Sequence, residues 1–208
     1  MSQASKPSGF FGRMQAKAMA RGHKEIYKKT LEVLKPKNDD TYLEIGFGSG
    51  MFIKKYIDGV SKIAGLDHSS EMVELAKKIN KERVKEGKIE FKKGDVEKIP
   101  WNDNEFTIVV AIESFFFWKD KINALKEIKR VLSPGGRLII EMAFNKDDGL
   151  NHEKHEKKMG LEFYSSEEMQ EFLAEAGFKD IYFYYYKGIK VPFKGYVVPK
   201  GMIIEAFK

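Results

Sequence analysis

The sequence predicts an open α/β sheet of seven strands, doubly wound by helices and mostly parallel. Apolar strand-like runs alternate with amphipathic helical patterns, which is typical of a parallel sheet with helices on both faces. The run FTIVVAIES (106–114) is continuous and rich in β-branched residues, as in a strand covered on both faces. The last two strand-like runs lie close together in the chain, which predicts a hairpin and one antiparallel strand.

Seven segments carry the strand pattern, and the first of them ends in a glycine. The predicted strands are 42–46, 62–68, 89–95, 106–114, 137–144, 181–188 and 201–207.

Helices are predicted in the gaps between these strands. Ser69 or Ser70 can cap one whose apolar residues recur at helical spacing from Met72. A second apolar stripe runs from Leu125 to Leu132 and stops at SPGG (133–136).

Two further helices have clear end signals. SSEE (165–168) fits a capping box, and Gly177 is well placed just after that helix ends. At the N-terminus, an amphipathic helix over about 14–34 must end by Pro36, because the residue before a proline disfavours helix.

Composition excludes some classes of protein. The chain of 208 residues has no cysteine, which excludes disulfides and thiolate metal sites and suits a reducing cytoplasm, the expected location. The N-terminal segment lacks the apolar core of a secretory signal. No apolar run approaches the roughly 20 residues that span a bilayer. The formal charge of +6 comes mainly from dispersed lysine, which indicates a solvated surface and makes nucleic-acid binding unfavoured.

A glycine-rich loop marks the candidate site. Gly46, Gly48 and Gly50 follow the first strand and precede a helical pattern, MFIKKYI. Ligands of open α/β sheets bind at the carboxyl ends of the strands, and glycine lets them approach the backbone. Asp67 ends the second strand, roughly 20 residues after Gly46, where an acid can accept both hydroxyls of a ribose. The loop and the acid together predict a nucleoside pocket.

The glycine spacing narrows the choice of nucleoside. The spacing is G-x-G-x-G, whereas the dinucleotide fingerprint is G-x-G-x-x-G. Glu44, two residues before Gly46, would repel a pyrophosphate but suit an amino group. A ligand with a ribose, an ammonium and no phosphate is S-adenosylmethionine (SAM), and a nicotinamide dehydrogenase is disfavoured.

Four motifs in order resemble a known family. LEIGFGSG, GLDHSSEMVELAKK, GDVEKIPWNDNEFTIVVA and EIKRVLSPGGRLII are similar to those of class I SAM-dependent methyltransferases of the small-molecule type, related to the ubiquinone and menaquinone methyltransferases. The match covers roughly 42–144. It implies a Rossmann-like fold in a single domain, 1–208. That domain would have a helical cap over the site (1–40), a cofactor-binding core (41–144), and a lid, last helix and hairpin (145–208).

The resemblance also implies site residues. Glu44 would reach the methionine amino group through water, Asp67 would hold the ribose, and His68 would lie against the adenine. Phe47 departs from the family pattern, in which small residues or cysteine are common, and its bulk could narrow the pocket. The implied cofactor contacts are Glu44, Gly46, Phe47, Gly48, Gly50, Asp67, His68, Met72, Gly94, Asp95, Val96, Ala111, Ile112 and Glu113.

The acceptor side is predicted after the fourth strand. Phe115, Phe116, Phe117 and Trp118 cannot all face inward in a regular structure. They either wall an acceptor pocket and steady a cationic transition state, or form core beneath a helix. The candidates for a general base are His23, Tyr27 and Glu113, and no pattern selects one of them; a lone histidine such as His23 is commonly structural or exposed.

The segment 146–164 is long for a connection between a strand and a helix, and it predicts a lid with a short helix of its own. His152 and His155 lie there beside two glutamates. Their order is not H-E-x-x-H and no third ligand is evident, so a solvated charged helix is favoured over a metal site.

The predicted reaction is an in-line transfer of the methyl group to a small, apolar or aromatic acceptor, with S-adenosylhomocysteine (SAH) as the product. One alternative keeps the donor and targets rRNA or protein. Another is a non-catalytic module that binds SAM or a partner. The sequence leaves monomer and homodimer open.

Overall fold

The computed structural model describes residues 24–190 and 197–208. Two single 3₁₀ turns, Phe115–Phe117 and Lys146–Asp148, lie among the regular elements. The helices are α1 (Lys24–Leu34), α2 (Met51–Tyr56), α3 (Ser70–Ile79), α4 (Lys81–Lys85), α5 (Lys121–Val131), α6 (Glu153–Met159) and α7 (Ser166–Glu175). The strands are β1 (Thr41–Ile45), β2 (Lys62–Asp67), β3 (Ile89–Lys93), β4 (Phe106–Ile112), β5 (Leu132–Met142), β6 (Lys179–Lys190) and β7 (Val197–Phe207).

The strands form one seven-stranded sheet in the order β3-β2-β1-β4-β5-β7-β6. The first five strands along this order pair in parallel, and β7 is antiparallel to both of its neighbours. The prediction of a mostly parallel sheet with an antiparallel C-terminal hairpin strand is therefore confirmed. The strand order reverses at β1, so the crevice for a ligand opens where β1 and β4 end side by side.

The boundaries of the last three strands differ from those predicted. β5 begins at Leu132 rather than at 137, because SPGG continues the pairing with β4 across a register shift between Phe106 and Ile108. Leu132 is accordingly a strand residue, and α5 ends at Val131. β6 and β7 are longer than predicted because each extends its pairing with the other toward the connection 191–196, which lies outside the described residues.

The residues predicted to begin or end helices do so in the structure. The Ser69 hydroxyl accepts a hydrogen bond from the Met72 N–H and caps α3. Ser165 and Glu168 form the reciprocal capping box of α7, and Gly177 follows that helix with a φ of 85°. The described part of the N-terminal helix ends at Leu34, as the following proline requires; its predicted residues 14–23 lie outside the described ranges.

Apolar side chains alternate between the two faces of the sheet and form two cores. Leu43 and Ile45 face a cluster that includes α5 and α7. Tyr42 faces a second cluster that includes α1, α2 and α3. Helices on both faces confirm the doubly wound architecture, and α1 packs on the face that also carries Glu44. Among the helices of the described residues, none is both long enough and apolar enough to cross a bilayer.

Candidate functional site

The loop between β1 and α2 depends on its glycines for two different reasons. Gly46, Gly48 and Gly50 have φ values of 71°, 54° and 68°, a region that L side chains rarely adopt. A Cβ on Gly46 would lie 2.6 Å from the Cβ of Ser114, and one on Gly50 would lie 2.8 Å from the Cβ of Ala76. A Cβ on Gly48 would meet no atom within 4 Å. Gly46 and Gly50 are therefore needed for packing, whereas Gly48 borders open space.

Asp67 at the end of β2 joins this loop to α3. Its Oδ2 accepts the N–H of Gly48 at 2.9 Å, and its Oδ1 accepts the N–H of Ser69 at 2.9 Å. The side chain is buried, and burial raises the pKa of its carboxyl. Each carboxylate oxygen has a second lone pair, so the two backbone bonds still leave acceptors for ribose hydroxyls. The His68 ring beside it is half exposed, with Nδ1 3.6 Å from Asp67 Oδ1.

Phe47 points its ring into the core rather than into the loop. The ring packs against Phe91, with 4.8 Å between the centroids, and only 5% of the residue is exposed. It fits there because Gly65 of β2 has no side chain: a Cβ at that position would lie 2.6 Å from Phe47 Cδ1. Its backbone belongs to the loop, where the Phe47 carbonyl accepts the Gly50 N–H at 2.9 Å.

The adenine side is predicted at 94–96, after β3. The Gly94 N–H donates to the Asp67 carbonyl at 3.0 Å, which joins this turn to the end of β2. Asp95 is exposed, and its Oδ1 accepts the Glu97 N–H at 3.1 Å. Val96 and Met72 are buried. These positions lie on the same edge of the sheet as Asp67.

Glu44 is a buried acid on β1, beside the loop. It is 3% exposed, and the Tyr42 hydroxyl donates to its Oε2 at 3.2 Å. Burial raises the pKa of Glu44 to about 8; the charge of Asp67 adds to the rise, and the hydrogen bond from Tyr42 opposes it. Without a ligand, this carboxyl is therefore mainly protonated at pH 7.

Glu113 lies directly after β4, where Ala111 and Ile112 are buried. Its φ of 52° is in the left-handed region, which a non-glycine residue adopts only at a cost in strain. Its N–H donates to the Glu141 carbonyl at 3.0 Å, and its carboxylate accepts the Ala143 N–H. Burial raises the pKa of Glu113 to about 7.

Glu141 on β5 was not predicted as a site residue, and it is fully buried. The Tyr186 hydroxyl donates to its Oε1, whereas Oε2 has no hydrogen-bond partner among the described residues. Burial raises its pKa well above the ordinary value, and the charge of Glu113 adds to the rise. One signal could have found it: Glu141 is the one charged residue between Leu138 and Phe144, in an otherwise apolar run.

Tyr186 reaches Glu141 across the intervening strand β7. It pairs with Gly201 in the β6–β7 ladder, and a Cβ on Gly201 would lie 2.0 Å from Tyr186 Cζ. The missing side chain therefore lets the ring lie over β7. No local sequence pattern predicts the contact between Tyr186 and Glu141, because these residues lie on two strands that are not neighbours in the sheet.

Tyr27 brings α1 to the same place. Its ring packs on Phe52 and Tyr56, with centroid separations of 5.0 and 5.9 Å. Burial raises the pKa of Tyr27 far above its ordinary value, and Glu44, Glu141 and Glu113 each add to the rise. Tyr27 is thus near all three glutamates, which we name the glutamate cluster (Glu44, Glu113 and Glu141). The other predicted base on the N-terminal segment, His23, lies outside the described residues.

The aromatic run after β4 is largely core. Phe115, Phe116 and Trp118 are buried in the cluster with α5 and α7, and Phe117 alone among the four is partly exposed. Phe115 packs on Trp118 and Tyr164 at centroid separations of 4.9 and 5.6 Å. This arrangement favours the core alternative for the three buried rings. An acceptor pocket walled by the run stays a prediction, with Phe117 its most accessible member.

The segment 146–164 contains a helix of its own, α6, as predicted. His152 Nε2 lies 2.7 Å from Asp148 Oδ1, and both side chains are buried. The His152 ring also packs edge-on against Phe163 at 5.2 Å, which fits a structural role. Within the two described ranges, no three His, Asp or Glu side chains come together as a metal site would need.

Comparisons with known proteins indicate the family of the chain. The family model described as methyltransferase domain matches residues 43–140. An uncharacterized protein of Methanocaldococcus jannaschii is 34% identical over 165 residues, 75% of this chain and 73% of that protein. A demethylmenaquinone methyltransferase of Thermotoga maritima is 33% identical over 54% of this chain, which spans about half (48%) of that enzyme.

A solved structure gives the same fold. The crystal structure of a SAM-dependent methyltransferase from Thermotoga maritima, described as a possible histamine N-methyltransferase, has a TM-score of 0.73. It is 24% identical, and the superposition covers 94% of this chain and 95% of the other. The motifs, the sheet order and these matches together show that the chain belongs to the class I SAM-dependent methyltransferases, with SAM as its cofactor.

Proposed function

We propose that this chain transfers a methyl group from SAM to a small molecule bound between α1 and the carboxyl ends of β4 and β5. The glutamate cluster carries this proposal. Its three acids, of which Glu44 and Glu141 are buried and Glu113 is partly buried, lie at the ends of three adjacent strands, β1, β4 and β5, on the face that α1 covers. A site roofed by a helix suits a small acceptor, and the glutamate cluster has no cationic side chain among the described residues to hold the phosphates of RNA.

The cofactor would lie along the ends of β1, β2 and β3. The loop 46–50 would lie beneath the methionine part, with Glu44 at its ammonium. Asp67 would accept the ribose hydroxyls, and 94–96 would contact the adenine. Open space at Gly48 and the buried, unpaired acid Glu44 both fit such a ligand. When bound, SAM supplies an electrophilic methyl group, and the protein supplies alignment and exclusion of water.

Two flanking segments would complete the site. Residues 1–40 would act as the helical cap, of which α1 is the described part. Residues 145–208 would supply the lid, the last helix and the hairpin. The curated relative with a named acceptor acts on demethylmenaquinone, which supports a small acceptor, but the match covers about half of that enzyme. The acceptor of this chain is therefore argued from its own residues.

Calorimetric titration with SAH, and with NADH as the unrelated nucleotide, tests the cofactor site. We expect micromolar or tighter binding of SAH and no binding of NADH. Gly48→Val should weaken SAH binding at least tenfold, because the new side chain would fill the space beside the loop. Gly87→Val is the matched control: Gly87 has a φ of 71° and a Cβ there would also meet no atom within 4 Å, but it lies between α4 and β3.

The acceptor class needs a second measurement. The protein is incubated with SAM labelled in its methyl group and with three pools: a small-molecule extract, rRNA and total protein. Label in the small-molecule pool supports the proposal. Label only in rRNA or protein would favour the macromolecular alternative, and SAH binding without transfer to any pool would favour the non-catalytic one.

The Gly48→Val variant has its own contrary outcome. If it binds SAH as tightly as the unaltered protein, the cofactor binds elsewhere than at the loop 46–50.

A further inference from the structure

We propose that the methyl acceptor is an amine, held as its ammonium by Glu141 and Glu113 and methylated on nitrogen. This inference rests on the proposed function, since it names the substrate class of the same site. The geometry that carries it is a pair of carboxyl groups, Glu141 buried and Glu113 partly buried, beside the predicted position of the reactive methyl group.

The two acids are held together by the sheet itself. Glu141 pairs with Ile112 in the β4–β5 ladder, and the N–H of the next residue, Glu113, donates to the Glu141 carbonyl at 3.0 Å. The backbones of both residues are thereby fixed at the ends of adjacent strands, where the chemistry of an open α/β sheet takes place. The left-handed backbone of Glu113 is the kind of strain that accumulates at functional sites.

The glutamate cluster has no cationic side chain of its own among the described residues. No ion pair found there includes any of its three members, and no cation contributes to their pKa values. The arginine of β5, Arg137, is committed to Glu205 at 2.6 Å. Buried acids without a cation take up a proton instead, as the raised pKa values of this cluster indicate, and a cationic ligand would replace those protons.

The cofactor supplies only part of that charge. Its ammonium is matched by Glu44 on β1, next to the glycine loop. The positive charge on its sulfur is consumed in the reaction. Glu113 and Glu141, which lie one and two strands further along the sheet, therefore remain for another cation. The second substrate is the group that arrives on this side of the site.

Glu141 also has a free acceptor. Its Oε2 is fully buried and receives no hydrogen bond from residues 24–190 or 197–208, whereas Oε1 receives one from Tyr186. A buried oxygen without a donor is costly, and it indicates where a ligand N–H would bind. An ammonium has three donors, enough for Glu141, Glu113 and one further acceptor. A phenolate, thiolate or carbanion acceptor has no N–H to donate to this oxygen.

The same residues account for the proton. Glu113, whose pKa burial raises to about 7, can take a proton from the bound ammonium and free the nitrogen lone pair. That lone pair forms a bond to the methyl carbon while the carbon–sulfur bond breaks, and the electrons of that bond stay on sulfur. The products are an N-methylammonium, SAH and one proton, which Glu113 returns to solvent. Charge and atoms balance without a further reactant.

Binding to the SAH-saturated protein tests the recognition step. The probes are phenethylamine and tryptamine, each compared with the alcohol of the same carbon skeleton, by calorimetry. We expect at least one amine to bind tenfold or more tightly than its alcohol. Glu141→Gln should remove this preference and leave SAH affinity within twofold. Glu205→Gln is the matched control, since Glu205 is also buried but pairs with Arg137. Equal binding of amines and alcohols, or a preference that Glu141→Gln retains, would overturn the proposal.

Product analysis separates failure of this inference from failure of the proposed function. With SAM carrying a ¹³C methyl group and a small-molecule extract, NMR identifies the atom that receives the label. Methyl groups on nitrogen support the amine acceptor. Methyl groups only on oxygen, sulfur or carbon would overturn it while the small-molecule function stands. No labelled small molecule, despite SAH binding, would overturn the proposed function, and the amine acceptor with it.

Discussion

The affinity for SAH should depend steeply on pH through Glu44. The carboxyl has a pKa of about 8 in the cofactor-free protein, so its neutral form outnumbers the carboxylate roughly ten to one at pH 7 and a hundred to one at pH 6. In the proposed site the cofactor ammonium would bind the carboxylate form and return its pKa toward the ordinary value. Binding therefore releases a proton, and affinity rises with pH up to about 8.

The magnitude follows from the ionised fraction. That fraction is about one half at pH 8 and about one hundredth at pH 6, so the dissociation constant should be roughly 50-fold larger at pH 6, or about 2.3 kcal/mol. Burial is the main cause of the raised pKa of Glu44, and the charge of Asp67 adds to the rise. The unaltered protein and its variants are therefore compared at the same pH, so that the charge of Asp67 is the same in each.

The assay is calorimetry at pH 6, 7 and 8, repeated at pH 7 in buffers of different ionisation enthalpy. The second series should show release of about 0.9 proton per SAH bound, the neutral fraction that a pKa of about 8 implies. Glu44→Gln cannot ionise and should flatten both dependences. A dissociation constant that is unchanged between pH 6 and 8 in the unaltered protein would refute the reasoning, as would an equal pH dependence in the variant.

Three further outcomes are expected from the structure. The cofactor-free protein should lose a few kcal/mol of stability from pH 5 to pH 8, because the raised pKa values of Glu44 and Glu113 mean that the folded state holds more protons than the unfolded chain in that window; a melting temperature that stays level or rises would contradict this. Gly46→Ala should cost about 1–3 kcal/mol in urea unfolding, more than Gly48→Ala, because only the former meets a neighbouring side chain; equal costs would remove the packing argument. Phe115→Ala should cost about 3–5 kcal/mol and leave SAH affinity unchanged, since the ring is fully buried core; normal stability with lost methyl transfer would instead return it to the acceptor pocket.

Local signals were sufficient to predict that the residues of the proposed cofactor site lie together. The glycine loop, Asp67 and Glu44 each lie at the end of a strand that its own apolar pattern reveals. Parallel strands bring their carboxyl ends to one edge, so the proximity of these residues follows once the strands are recognised. The capping box at Ser165 was equally readable, because its hydrogen bonds join residues three apart in the chain.

The acceptor side was decided by contacts that no local pattern contains. The sequence predicted that Phe115 to Trp118 form either a pocket wall or core. In the structure, aromatic residues of α7 and of the segment before it pack around Phe115, Phe116 and Trp118 as core. Phe47 departs from the family pattern, and the sequence did not show whether its ring narrows the pocket. The structure shows that the ring packs beneath the loop, in space that Gly65 leaves open because it has no side chain. Packing of this kind depends on the shapes of side chains that are far apart in the chain and adjacent in the fold, and a local sequence pattern does not show which residues these are.

What the sequence alone determined is therefore the fold class, the methyl donor and the edge of the sheet at which the glycine loop, Asp67 and Glu44 meet. Only the tertiary structure brought Glu141 and Tyr186 together, because the hairpin places β7 between β5 and β6, and Gly201 leaves the space for Tyr186 to cross it. Burial then raised the pKa values of Glu44, Glu113 and Glu141. The pKa of an acidic side chain depends on its exposure to water and on the charges and donors near it, and both are set by the tertiary structure.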